Sequence, residues 1–272
     1  MWLIITTNRG VRLIDTESWE ENILVERKCC FYGVSWYKDH IYVVKDFQSK
    51  QPKICVLDEW FDEVGVLDMG NHLKKPHQIV VNNDKLWVAD AGKDALVKYD
   101  FKSGAVSDHA LPNTGGNFGS PLSKNHFNSL TFKDGLLYVC AHNGTAPSTI
   151  LILDRYLNEV NRFNMGSKTH NIALNKGITI CNSADGTIEH GEKVYYKING
   201  FTRGLAQTDE EIIFGVSVPA KRNRRSNGVK GARIGIIKNG STKVSEMEGC
   251  SQVYDIRILD KFDYGHYVKP FL

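Results

Sequence analysis

The chain has 272 residues, 42% of them hydrophobic, and a formal charge of +3 with a pI near 8.4. That length accommodates one large all-β domain or two ordinary ones, and the apolar content supplies a substantial core. The charge is too small for a nucleic-acid-binding face, no run approaches the roughly 18 apolar residues of a membrane span, and the apolar start at residues 1–6 lacks the basic lead and cleavage pattern of an export signal.

In chain order, residues 3–7 and 11–15 read as two strands around the turn Asn8-Arg9-Gly10, and residues 19–26 as a third. At Tyr32 a phrase begins that occurs six times: a polar pair, an apolar strand, a polar turn and a second apolar strand. Its clearest copy is Pro76-His77-Gln78-Ile79-Val80-Val81, and the other copies start at Tyr32, Asn128, His170, Arg203 and Tyr254. Two further strands follow each of the first three copies, at 53–58 and 63–67, at 95–100 and 105–111, and at 149–154 and 160–163. The fourth unit is compressed, with a third strand at 193–198 and a poorly marked outer strand. The fifth uses 232–237 and 242–247, and the last copy, at 253–259, has only a short tail after it.

Short alternating strands cut by Asn, Asp and Gly turns are all-β text, and a four-strand repeat of about 45 residues is propeller text. The start of the chain has a blade without its inner strand, and the end has an inner strand without its blade. Joined, they close the ring. The expected fold is therefore all-β: a single six-bladed β-propeller over residues 1–272, with four-stranded blades and the C-terminal strand completing the N-terminal three. Five or seven blades, or two sandwiches, are the rivals; no linker divides the chain for the last of these.

Inner strands of a propeller start at one face beside the central channel. The phrase starts Tyr32, His77, Asn128, His170, Arg203 and Tyr254 should converge there, followed by a second ring of Gly33, Gln78, Ser129, Asn171, Gly204 and Asp255, above an apolar wall. Two histidines beside an arginine make the sharpest constellation. A neutral imidazole can act as base or metal ligand, and a guanidinium can clamp a carboxylate or phosphate. His77 or His170 is the candidate general base, Tyr32 or Tyr254 the proton donor and Arg203 the anion clamp. Asn128, Gln78, Asn171, Asp255, His126 and His142 are candidate substrate-binding residues. No cofactor motif appears. A divalent metal stays open as an alternative, with His77 and His170 as its ligands, although no H-x-H or H-E-x-x-H spacing supports it. The glycine-rich connection at 113–121 is a candidate lid, and the basic run at 221–230 reads as a solvated hairpin or a rim for anionic substrates. His40 and His266 are expected in solvent; His72, His109 and His190 are expected to be structural or inert.

The six cysteines, Cys29, Cys30, Cys55, Cys140, Cys181 and Cys250, form no C-x-x-C pair, and three lie in apolar strand text. They read as reduced thiols of a cytoplasmic protein.

Residues 77–100, with Leu86-Trp87-Val88-Ala89-Asp90 and Val97-Lys98-Tyr99-Asp100, resemble NHL-type and virginiamycin B lyase-like propeller repeats. The carboxyl-terminal third, with Phe201-Thr202-Arg203-Gly204-Leu205-Ala206 and Val253-Tyr254-Asp255-Ile256-Arg257, resembles a bacterial propeller family of unknown function. The lyase resemblance implies elimination across a lactone by a top-face histidine, a role for His77 or His170, with magnesium held by acidic residues. No convergent glutamate is evident for that ion. Lactonase propellers hold a central ion with Glu, Asn and Asp, of which Asn128 and Asp255 are an incomplete set.

Two functions follow as expectations. One is a top-face pocket for a small polar or anionic ligand (a sugar derivative, lactone or carboxylate) with lyase or hydrolase chemistry. The other is a non-catalytic scaffold that binds a protein partner through the top rim and the loop 221–230. Neither involves nucleic acid or membrane, and the chain is expected to be a monomer.

Overall fold

A computed structural model describes residues 1–27, 29–46, 51–118 and 124–272, apart from the side chains of Arg222 and Asn223. Of the candidate lid, Gly119, Ser120 and Pro121 lie outside the described residues.

Six four-stranded antiparallel sheets form the blades of a propeller. Five are consecutive, at residues 30–67, 76–110, 127–164, 170–197 and 201–247. The sixth joins the last strand, Val253–Ile258, to the first three, with Ile5 opposite Ile256 and Ile4 opposite Arg257. The third strand of this blade starts at Glu21, later than expected. Asn8 fastens the seam on the top side, its Oδ1 accepting the backbone N–H groups of Ser251 and Gln252 at 3.0 Å each.

Blade four corrects the sequence reading. Its third strand is Thr187–His190, and Lys193–Lys197 is the outer strand. Four residues leave little room for an alternating pattern to register. His190 therefore lies within the sheet, where its Nδ1 meets Thr179 Oγ1 at 2.9 Å.

Each blade is apolar on both faces because it is sandwiched between its neighbours. Val80, Ala89 and Leu96 of the second blade pack with Leu130, Val139 and Leu151 of the third in one buried cluster. Among the described residues no helix is long and apolar enough to cross a membrane. All six cysteines are buried and remain thiols rather than disulfides.

Every inner strand carries a β-bulge at the start of its phrase. The strand register passes from Pro76 to Ile79, from His170 to Ile172 and from Arg203 to Leu205, skipping the residues between. The same irregularity falls between Phe31 and Val34, between Phe127 and Ser129, and opposite Tyr254. A bulge bends the strand and re-aims a side chain, which is how an inner strand, otherwise committed to blade packing, presents a polar group to the channel. Gly33 sits in one of these bulges, where a Cβ would lie 2.5 Å from Ile79 N and 2.6 Å from His77 O. Glycine is required there for the first two blades to approach.

The tail runs back under the channel. Trp36 Nε1 donates to Lys269 O at 2.7 Å, and Asp263 accepts N–H bonds from Gln207 and Gly265 at 3.1 and 2.8 Å. His266, expected in solvent, is fully buried there, with its Nε2 2.8 Å from Ser35 Oγ and its ring edge-on to Trp36. The short tail thus packs across the underside of the ring, which is what buries His266.

Candidate functional site

The phrase starts Tyr32, His77, Asn128, His170, Arg203 and Tyr254 all border one narrow space at the channel axis. Above it opens a cavity of about 380 Å³. Its wall is a closed circuit of ring contacts. Tyr254 meets Tyr32 at 4.5 Å between centroids, Tyr32 meets His77 at 4.8 Å, and His77 meets His126 at 4.9 Å. His126 then meets His142, His142 meets His170, and His170 meets Phe201, each at 5.3 Å. The Arg203 guanidinium completes the circuit, 5.7 Å from the Phe201 ring and 4.9 Å from that of Tyr254.

The second ring does different work. Its side chains reach to the backbone of neighbouring blades. Gln78 Oε1 accepts Leu130 N at 2.7 Å, Ser129 Oγ accepts Asn171 N at 3.0 Å, Asn171 Oδ1 accepts Gly204 N at 2.8 Å and Asp255 Oδ2 accepts Val34 N at 3.2 Å. The amide groups of Gln78 and Asn171 both donate to Asp255 Oδ1, at 3.2 and 3.1 Å, and the fully buried Arg257 pairs with the same oxygen at 3.1 Å. Burial raises the Asp255 carboxyl, against Arg257 and the hydrogen bonds that favour the carboxylate. Inner-strand N–H groups freed by the bulges need acceptors, and this ring supplies them. Gln78, Asn171 and Asp255, expected to bind substrate, are thus hydrogen-bonded to one another and to backbone. Only about 10 Å³ remains at their level, so the cavity ends there as a blind pocket. Asn128 is engaged likewise, donating to Thr169 O at 2.8 Å and accepting from Ser129 Oγ at 2.9 Å.

The four histidines differ in what holds them. His77 Nε2 lies 3.0 Å from His126 Nε2, so the two rings share one proton along that line. His142 Nδ1 accepts the Gly144 N–H at 3.1 Å. His170 Nδ1 lies 2.8 Å from Lys168 O and 3.0 Å from Ser183 Oγ, whose hydroxyl donates to Thr202 O. Burial pushes His142 down to about 3 and His170 well below the usual imidazole range, with Arg203 adding to both effects, so both are neutral near pH 7. Tyr254 is held well above the ordinary phenol range, first by burial and then by Tyr32 and Cys30, whose thiol lies 3.2 Å from its hydroxyl.

Arg203 is 4% exposed, and its Nε and Nη1 have no hydrogen-bond partner. Burial lowers its pKa to about 10, which leaves it charged at neutral pH. Lys168 and Arg225 also border the cavity, and among the described residues no carboxylate does. Arg225 comes from the basic loop, which Asn8 ties down by donating to the carbonyls of Arg225 and Gly228 at 2.7 Å each. The loop expected to be a solvated hairpin or rim thus contributes a cation to the pocket. Phe118, from the candidate lid, stacks on His126 at 4.1 Å and meets His142 edge-on.

Sequence reasoning missed Lys168 and Phe201. The signal was present: His126, Lys168 and Phe201 each stand two positions before a phrase start, and all three border the cavity. His77 and His170, the expected metal pair, are separated in the circuit by His126 and His142. Among the described residues no three His, Cys, Asp or Glu side chains are arranged to hold an ion. Magnesium is held by carboxylates and other oxygen ligands, whereas the described lining of this cavity has three cationic side chains, four imidazoles and no carboxylate beside the neutral oxygens of Tyr32, Asn117 and Thr145; the donor set does not fit that ion.

These features define a six-bladed β-propeller with a blind, cationic, histidine-lined pocket on its top face. In structure the chain is similar to a chain of a nidogen/laminin complex, with a TM-score of 0.69 and 9% identity over 94% of this chain and 97% of that one. It is also similar to streptogramin B lyase, with a TM-score of 0.54 and 17% identity over 80% of this chain and 68% of that one. At these identities the likeness is one of fold. No family model and no curated protein matches the sequence.

Proposed function

We propose that the top-face pocket binds a small anionic ligand through Arg203. The observation that carries this reading is the buried guanidinium with two nitrogens open, in a cavity bordered by Lys168 and Arg225 and, among the described residues, by no acid. A buried charge ordinarily has a partner, and here the ligand would supply it. The cavity volume is at the lower end of the range for small-molecule sites, about 300–1,000 Å³. Lyase or hydrolase chemistry is a further part of the reading. His170 is neutral and suits the general base, Tyr32 suits the proton donor, and one structural neighbour is a lyase.

The test is calorimetric titration with acetate, inorganic phosphate and glycerol. The two anions should bind and glycerol should not, and Arg203→Met should weaken anion binding at least about tenfold, the loss of one charged hydrogen bond. Wild-type protein that ignores both anions at millimolar concentration would end the reading. For the chemical step, unchanged turnover in both His77→Ala and His170→Ala would remove the assigned base.

A second reading, a protein-binding scaffold, is favoured by the neighbour solved in a nidogen/laminin complex and by the exposed Lys221, Arg224 and Lys230. Deleting residues 221–230 should abolish such a complex while the ring still melts cooperatively. A complex that survives the deletion would count against it.

A further inference from the structure

We infer that the pocket selects a hydroxycarboxylate, with the carboxylate on Arg203 and a hydroxyl between His142 and His170. The inference rests on the anion-binding reading above and adds the class of anion.

It follows from the two imidazole tautomers. The partner of His142 Nδ1 is a backbone N–H, which can only donate. Nδ1 must then carry a lone pair, and the neutral ring carries its proton on Nε2. The nearer partner of His170 Nδ1 is a backbone carbonyl, which can only accept. Its other partner, Ser183 Oγ, uses its proton on Thr202 O and so also accepts. Nδ1 of His170 therefore carries the proton, and Nε2 carries the lone pair. The two rings, edge to face with centroids 5.3 Å apart and planes at 82°, are locked in opposite tautomers by the groups around them. Both border the cavity, and neither Nε2 has a hydrogen-bond partner among the described residues.

Between them the two rings thus present one donor and one acceptor to the pocket, beside the Arg203 guanidinium. A simple carboxylate has acceptors only. It matches Arg203 and His142 but sets an oxygen lone pair against that of His170. A hydroxyl matches both rings at once, donating to His170 Nε2 and accepting from His142 Nε2–H. A site built around a hydroxyl discriminates strongly against the analogue that lacks it, because its own polar groups are then left unpaired.

The probes are propanoate, 2-hydroxypropanoate, 3-hydroxypropanoate and glycerate, titrated into the full chain. At least one hydroxy acid should bind about tenfold or more tighter than propanoate. His142→Phe and His170→Phe keep the ring contacts and remove the nitrogens. His170→Phe should shrink that margin to about threefold or less while propanoate binds nearly as before, a loss on the scale of one neutral hydrogen bond, and His142→Phe should weaken propanoate and the hydroxy acids together. Equal binding of propanoate and the hydroxy acids, lost in Arg203→Met, would overturn this inference and leave the anion site standing. No binding of any of the four would overturn both. Nitrogen-15 imidazole shifts of the wild-type protein give a check independent of any variant. His142 should show an unprotonated Nδ1 and His170 a protonated one, and the same tautomer in both rings would overturn the inference.

Discussion

Arg203→Met should raise the melting temperature of the ligand-free protein. Burial lowers the guanidinium from the usual 12.5 to about 10, a shift that corresponds to about 3 kcal/mol at 1.36 kcal/mol per pH unit. The folded pKa lies below the unfolded one, so this cost is fully present at neutral pH and fades only as the pH rises through about 10. Methionine removes the charge and keeps an apolar stem against Phe201 and Tyr254. It gives up two cation–π contacts, worth about 2 kcal/mol for the desolvated one with buried Tyr254 and about 0.5 kcal/mol for the longer one with half-buried Phe201. The net gain is up to about 1 kcal/mol, or roughly 1–2 °C for a chain of this size. A saturating anion reverses the order, because ligand at one hundred times its Kd stabilises the wild type by about 2.7 kcal/mol. The assay is thermal unfolding in low-salt buffer free of carboxylate and phosphate, repeated with the tightest-binding anion. If Arg203→Met melts lower than wild type in the anion-free buffer, the guanidinium is a structural tie and the argument from its unpaired donors fails.

Further outcomes are expected. His142 and His170 stay neutral in the fold but protonate near pH 6.5 when unfolded, so the unfolded state binds more protons and stability falls with the pH below that value. Together they contribute a slope of up to about 2.7 kcal/mol per pH unit, and His142→Phe should halve their share in denaturant titrations between pH 6 and pH 4; an unchanged slope would contradict the burial of His142. Asp255→Ala strands Arg257 and several donors, and should cost about 3–5 kcal/mol as a broken buried ion pair, read as a lowered chemical-denaturation midpoint; a cost under about 1 kcal/mol would make the second ring incidental. Gly33→Ala drives a methyl into the backbone of the next blade and should cost about 1–3 kcal/mol, whereas a neutral result would mean that the first two blades can separate freely.

The fold was legible because its signal is repetitive. Six copies of one phrase place six inner strands, and the incomplete blades at the two ends announce their own junction. The candidate pocket was legible only in part. His77, His126, His142, His170 and Arg203 do meet around one cavity. Gln78, Asn171 and Asp255 looked equally suited to a ligand, since residue type does not tell whether an amide or carboxylate will face a ligand or a neighbouring backbone N–H. That choice depends on the bulges, which set the inner-strand donors free. His266 was misjudged, and which residue of the basic rim reaches the pocket was left open, for a related reason. Whether a loop folds over a mouth or a tail returns under a ring is decided by distant partners, here Asn8 for the loop and Ser35 for the tail. The short third strand of blade four was missed because Thr187–His190 contains a single large aliphatic residue.

The seam also has a consequence in time. Asn8 bonds a residue 244 positions further along the chain, and the strand Trp2–Thr7 finds its inner neighbour only in Val253–Ile258. At roughly 5–20 residues per second, a ribosome makes that neighbour on the order of ten to fifty seconds later. Throughout that interval the first strand keeps one bare edge, rich in isoleucine, of the kind that recruits other chains. The nascent ring is a clasp held open until nearly the last segment emerges. Its yield in the cell should therefore depend on what shields residues 2–7 during synthesis more than on the stability of the finished propeller.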